Sequence, residues 1–377
     1  MTPPEHRPTT IDFGKHGNDA EFVLDGWSGP EANYRWAVGS QSALRLPPWP
    51  AAGNVLMSLR IAPAPVRGKP IQSVILLIND VVAATFEVTC NDEYTFILQN
   101  ELFQREKENL VQCVYRHSAA PGEIDKGEQR ELSVSFQRLF LESTKLEPLS
   151  RARLLPRPAE TQPDPNVLKE LAERFQGLGQ NCEFGLFQRG CGAEPYGLLR
   201  FASIFLSRLL RGVRTSFYGI DDPANLTMDL NAPGGEYIGH HSIYGLDYHT
   251  FRNEGEIDPA TFVPKEPARL GYLARLLMDQ IKSAEKIFVV QRRQPLLTIE
   301  QAMSLLLTLR AHNPGVQLLY VTAVRAEFAF LVGRVEQLAP GFFRGYVQRF
   351  APDENAHELD FPVWLQICAT VAAAVPL

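Results

Sequence analysis

Prolines stand at positions 148, 156, 158, 163 and 165 in the middle of this chain of 377 residues. Each proline fixes its own φ and removes a backbone donor, so the stretch 146–165 discourages both helix and sheet and reads as a linker. The hydrophobic pattern changes character across it. A chain of this length supports two domains, each with its own core. The predicted organisation is therefore a first domain over residues 1–148, a proline-rich linker over 149–165 and a second domain over 166–377.

Before the linker, short β-rich runs at 55–61, 73–78, 81–88, 94–98, 110–115 and 132–141 are separated by turn residues. Asn79 and Asp80, between two such runs, form a two-residue hairpin signal. This pattern predicts an all-β antiparallel sandwich, jelly-roll-like. After the linker, helix and strand alternate. Asn166 is a candidate cap for a helix to about residue 174, and 183–189, 198–211 and 267–283 carry helical spacing. Residues 286–291, 298–312 and 317–324 read as strand, helix and strand, with Thr298 at the helix start. That is a βαβ crossover with parallel strands, which makes the second domain α/β.

A net charge of −6 and the absence of any basic run argue against a nucleic-acid partner. No apolar run approaches the roughly 20 residues of a membrane span, and the first residues lack a signal-peptide pattern. A cytoplasmic location is expected. Five cysteines (Cys90, Cys113, Cys182, Cys191, Cys368) are too few and scattered for a disulfide framework. Cys90 and Cys113 lie in strand-like runs, where an unreactive thiol is expected.

Cys182 differs. It sits in Phe175-Gln-Gly-Leu-Gly-Gln-Asn-Cys-Glu-Phe-Gly185, a glycine-flanked turn that opens a helical pattern. Free N–H groups and the dipole at a helix start favour a thiolate. Backbone N–H groups near Asn181 and Glu183 offer an oxyanion site. A nucleophilic cysteine also needs a base, and two histidines qualify. His249 follows a Gly-Leu turn beside Tyr248. His357 stands between Asn355 and Asp360, where a polar neighbour can orient its ring. Chain order alone leaves both open: papain-like order favours His249, and a flavodoxin-like hydrolase favours His357. The alternative for Cys182 is a thiol that packs a tight turn.

Arg292 and Arg293 follow a predicted strand at the edge where α/β folds bind ligands. With Arg200 and Arg349 they are candidate contacts to an anionic substrate, against the alternative of solvated surface charge. Trp27 and Trp36 are candidate sugar-stacking rings, against the alternative of core tryptophans. The adjacent His240 and His241 point to opposite faces of a strand, so at most one can join His249 at a metal. No metal and no cofactor are assigned.

The motif Leu178-Gly-Gln-Asn-Cys-Glu-Phe-Gly-Leu-Phe-Gln-Arg189 resembles the signature of a bacterial family of unknown function described as papain-like cysteine peptidases. In that family an L-G-x-x-C motif is followed by a histidine element, matched here by Leu246-Asp-Tyr-His-Thr-Phe251. The resemblance covers roughly residues 166–372 in several short pieces. It departs where many members carry Pro-Phe-Asp-Trp and this chain has Leu199-Arg-Phe-Ala-Ser203, so no acid is carried over there. It implies a cysteine nucleophile at Cys182 and favours His249 as base. Short signatures in the first domain, such as Gly26-Trp-Ser-Gly-Pro-Glu31, are similar to jelly-roll modules beside bacterial glycan-assembly enzymes and imply a glycan context.

Three readings follow. The first is a cysteine-dependent hydrolase or acyl transferase in a surface-glycan context. The second is a non-catalytic glycan-binding or scaffold protein of polysaccharide assembly. The third is a glycosyl or related group transferase whose arginines hold a phosphate-bearing donor.

Overall fold

The computed structural model describes residues 8–50, 52–65, 71–118, 130–149, 152–158, 164–232 and 235–375. The chain divides into two compact units, Met1–Ser150 with Thr298–Ser304, and Arg151–Leu297 with Leu305–Leu377.

The first unit is an antiparallel β-sandwich. One sheet runs Trp27–Pro30, Arg35–Val38, Leu132–Thr144, Asn54–Pro63, Asp92–Leu98, with Thr9–Asp12 also paired to Leu132–Thr144. The other runs Gln41–Leu46, Asn109–Tyr115, Gln72–Ile78, Val81–Val88. Buried and half-buried residues alternate along Asn109–Tyr115, so one face of that strand supplies core. Met57, Leu59, Val74, Leu76, Val111 and Leu139 belong to a shared interior cluster. Asn79 and Asp80 both have positive φ, 50° and 66°, as a tight hairpin with right-handed strand twist requires. The four strands before residue 47 were not foreseen. Thr9–Asp12, Trp27–Pro30 and Arg35–Val38 have only four residues each, too few to display a period.

The second unit holds a mixed six-stranded sheet in the order Arg153–Leu154, Val335–Ala339, Phe342–Val347, Gln317–Ala323, Ile287–Gln291, Phe175–Gly177. The last four of these strands are mutually parallel. The predicted βαβ order is present, with Ile299–Arg310 helical between the parallel pair Ile287–Gln291 and Gln317–Ala323. Thr298 and Gln301 close a reciprocal capping box: Gln301 N donates to Thr298 Oγ1 at 3.3 Å, and Thr298 N donates to Gln301 Oε1 at 3.0 Å. A separate four-stranded antiparallel sheet runs Ala202–Ser203, Leu246–Asn253, Glu236–His241, Leu226–Leu230.

Several boundaries differ from expectation. Arg153–Leu154 lies inside the predicted linker yet pairs with Glu336 and Gln337, because neither residue is proline and both keep their N–H groups. Linker residues 150, 151 and 159–163 lie outside the described residues. The helix Pro165–Glu173 is capped by Asp164, whose Oδ1 accepts from Asn166 N at 2.8 Å, with Pro165 at the first helical position. The helix expected from 198 begins only at Leu206, because Ala202–Ser203 is taken up as a strand beside Leu246–Asn253.

Candidate active site

Parallel strands send the loops at their carboxyl ends to one edge of the sheet. Here those loops are residues 178–182 after Phe175–Gly177, residues 292–294 after Ile287–Gln291, and residues 351–352 beyond Phe342–Val347. With Ala202, Ser203 and residues from the smaller sheet, they enclose a cavity of about 540 Å³. Cys182 and His249 both line it.

Cys182 stands at the N-cap of the helix Glu183–Gly190. The turn before it is tight: Gly179 and Gln180 have φ of 84° and 83°. Asn181 closes this turn, its Oδ1 accepting from Glu183 N at 3.0 Å and from Gln291 Nε2 at 2.7 Å. The Glu183 N–H, one of the donors near Asn181 and Glu183 expected to serve an oxyanion, is thus already engaged by Asn181. Glu183 itself is 2 % exposed. Its carboxylate accepts from Trp364 Nε1 at 2.7 Å and from Ala351 N at 2.8 Å, which ties the Cys182 turn to the opposite cavity wall. Burial pushes the Glu183 carboxyl above its ordinary range, against the pull of these two donors. Gly185 explains the glycine after the cysteine. A Cβ there would come within 2.7 Å of Arg200 O, so only glycine lets the helix approach that segment.

His249 lies on the strand Leu246–Asn253 and is held on two sides. Cys182 stands beside it as the largest influence on its charge, and its Nδ1 lies 2.8 Å from Glu236 Oε2. With Nδ1 taken by the carboxylate, Nε2 is the nitrogen left for the sulfur. Cys182, and then the Glu236 carboxylate, push the imidazolium up to about 9, against burial, which lowers it. Glu236 was not a sequence candidate. It lies on the strand Glu236–His241, where Ile238 pairs with His249, so Glu236 is the diagonal cross-strand neighbour of the imidazole. The only signal in the sequence was the hairpin register, and that register contains an irregularity between Glu236 and Ile238.

Of the other predicted residues, Arg292 and Arg293 line the cavity. Arg292 Nε donates to Pro295 O at 2.5 Å, and Arg293 Nη1 to Ala351 O at 3.1 Å. Arg200 does not line it. This arginine is 7 % exposed, pairs with Glu194 at 2.5 Å and donates to the carbonyls of Gly185 and Ala193, so it braces the helix Glu183–Gly190 from behind. Arg349 is exposed and pairs with Glu358 at 3.3 Å. His357 is exposed in the short turn Asp353–Glu358 and takes no part in the cavity wall. Trp27 is half-buried and packs against the sandwich interior: its Nε1 donates to Ala43 O at 2.7 Å, and its ring stacks on Phe13 at 5.4 Å. Trp36 is half-buried with its ring against Tyr34. His240 pairs with Asp247 at 2.7 Å while His241 is buried, so the adjacent histidines do part to opposite faces.

Cys113, Cys191 and Cys368 are buried away from any such setting. Burial pushes Cys113 up to about 12 and Cys191 up to about 11, and it raises Cys368 as well.

No protein-family model matches this chain, and no curated protein sequence does. Among solved structures, its N-terminal third is similar to a family 35 carbohydrate-binding module from Clostridium thermocellum. That match has 10% identity and a TM-score of 0.25, and covers 37% of this chain and 100% of that one. It is also similar to the CBM36-1 domain of a multidomain xylanase from the hindgut metagenome of Trinervitermes trinervoides (9% identity, TM-score 0.23, 37% of this chain, 100% of that one). A third is the C-terminal CBM6 of LamC, a laminarinase from Zobellia galactanivorans (15% identity, TM-score 0.22, 36% of this chain, 100% of that one).

Proposed function

We propose that the second unit is a cysteine-dependent acyl-transfer enzyme, a hydrolase or acyl transferase, with Cys182 as nucleophile, His249 as acid and base, and Glu236 orienting the ring. The observation that carries this reading is the imidazole held between a thiol and a carboxylate beside an open cavity. The order cysteine then histidine is also that of the papain-like family which the segment 178–189 resembles. In the reaction, the Cys182 proton resides on His249 while Sγ attacks the acyl carbon and the carbonyl electron pair moves onto oxygen. Collapse expels the leaving group, which takes the proton from His249, and a thioester remains on Cys182. Water or another nucleophile then adds, passes its proton to His249, and releases the sulfur as thiolate. Glu236 stabilises the imidazolium at each stage through Nδ1. Arg292 and Arg293 give the cavity wall two cationic groups, which suit an acyl donor bearing an anionic or strongly polar portion.

The test uses p-nitrophenyl acetate as acyl donor. Acid quench and peptide mass spectrometry should find one acetyl group on Cys182, absent from Cys182→Ser and strongly reduced in His249→Asn. Iodoacetamide should label Cys182 ahead of Cys113, Cys191 and Cys368. Slow labelling of all of them at one rate, with no acetylated peptide, would sink the reading.

A second reading concerns the sandwich alone. The half-exposed Trp36 against Tyr34 offers an aromatic edge of the kind on which sugar rings stack. Glycan binding by the first unit predicts retention on immobilised polysaccharide that Trp36→Ala abolishes while Trp27→Phe leaves it intact.

A further inference from the structure

Phe251 has φ of +56°, the left-handed region, on the same strand as His249. An aromatic residue there is strained, and it needs a structural reason. Two contacts supply one. Its N–H donates to Glu236 Oε1 at 2.5 Å, while the other oxygen of that carboxylate meets His249 Nδ1 at 2.8 Å. Its ring stacks on the His249 ring, with centroids 5.8 Å apart and planes 26° from parallel. The local register of this hairpin is irregular between Glu236 and Ile238. A glycine would take the left-handed position without strain. The N–H contact alone therefore does not account for phenylalanine, whereas the ring contact does.

The outer side of the ring is also engaged. Phe201 meets it edge-on at 4.9 Å, and the Arg189 guanidinium lies 5.3 Å from its centroid. His249 N donates to Phe201 O at 3.0 Å, so backbone and ring contacts on this side reach the same histidine. The residue is nonetheless 48% exposed, unusual for a phenylalanine whose purpose would be core packing.

We propose that Phe251 is a positioning residue, whose backbone N–H fixes the Glu236 carboxylate and whose ring fixes the plane of His249, so that one residue sets both the imidazole and the carboxylate that orients it. The proposal rests on the Cys182–His249 reading given above. Removing the ring leaves the carboxylate held but frees the imidazole to rotate about its own side-chain bonds. Charged groups around the imidazole remain in place: Glu236 on one side, and Asp247, Arg292 and Arg293 in the cavity wall.

The test is the pH profile of Cys182 alkylation by iodoacetamide in the full chain, read by peptide mass spectrometry. Phe251→Gly keeps the N–H and relieves the backbone, so its thermal unfolding should stay near wild type. Its alkylation rate near pH 6 should nevertheless fall by about tenfold, the size of a one-unit displacement of the profile. Phe251→Tyr restores the ring and should restore the profile. Phe251→Leu retains bulk without a stacking plane and should resemble glycine; it decides the matter if the glycine variant does not fold. A Phe251→Gly or Phe251→Leu profile superimposed on wild type overturns the proposal, provided that His249→Asn is slow. If His249→Asn also matches wild type, the nucleophile reading itself is what fails.

Discussion

Replacing Glu183 with alanine should weaken the second unit more than any other single change in the Cys182 loop. The carboxylate is the acceptor for Trp364 Nε1 and for Ala351 N, and both donors belong to buried residues, 0 % and 5 % exposed. Deleting it strands two donors at about 1–3 kcal/mol each. One term opposes this. Burial raises the Glu183 carboxyl, so keeping it ionised at neutral pH already carries a cost that alanine removes. The balance is a loss of about 2–4 kcal/mol. The assay is urea unfolding followed by helical circular dichroism. The described α-helices lie between Pro165 and Ala374, largely in the second unit, so that signal reports the unit where the change is made. Glu183→Gln should fall between alanine and wild type, since one amide oxygen serves only one donor well. A Glu183→Ala midpoint shift worth less than about 1 kcal/mol would refute the reasoning, because it would mean that water or a neighbour satisfies both donors.

Two further perturbations follow from the geometry. The His249 imidazolium is raised to about 9 in the fold, against about 6.5 in an unfolded chain. Its contribution to stability is therefore complete below about pH 6.5 and disappears as pH rises through about 9, and His249→Asn should flatten that part of the pH–stability curve. Ala284 ends the helix Glu266–Ser283 with φ of 53°, so Ala284→Gly should raise the unfolding midpoint by about 0.5–1 kcal/mol, and a loss of stability would contradict the left-handed cap.

Much of the architecture was legible because it rests on period and punctuation. The strands Gln72–Ile78 and Val81–Val88 flank a two-residue turn whose chemistry is local, and Thr298 caps its helix with a partner three residues away. The site was legible only in part. Cys182 announces itself through its turn, and His249 through a short motif around it. Glu236 carries no motif, since its role depends on a cross-strand diagonal across an irregular register. Arg200 misled for the opposite reason. It lies in a motif-rich segment, and only the fold reveals that its charge meets Glu194 and that its guanidinium is enclosed by carbonyls. His357 and Asp360 are near in sequence, but Asp360 caps the last helix through Val363 N rather than orienting the ring. Trp27 and Trp36 are the same residue type nine positions apart, both half-buried, and nothing in composition tells the one packed on the interior from the one packed on Tyr34.

The thiol and its imidazole belong to different sheets. Cys182 follows a strand of the six-stranded mixed sheet, and His249 lies within the four-stranded antiparallel one. Their proximity therefore depends on those two sheets remaining docked, not on either sheet being folded. A partial opening that peels away the smaller sheet would separate the pair while the larger sheet persisted. If Cys182 is the nucleophile proposed above, its reactivity is therefore a gauge of intactness, lost before the larger sheet unfolds.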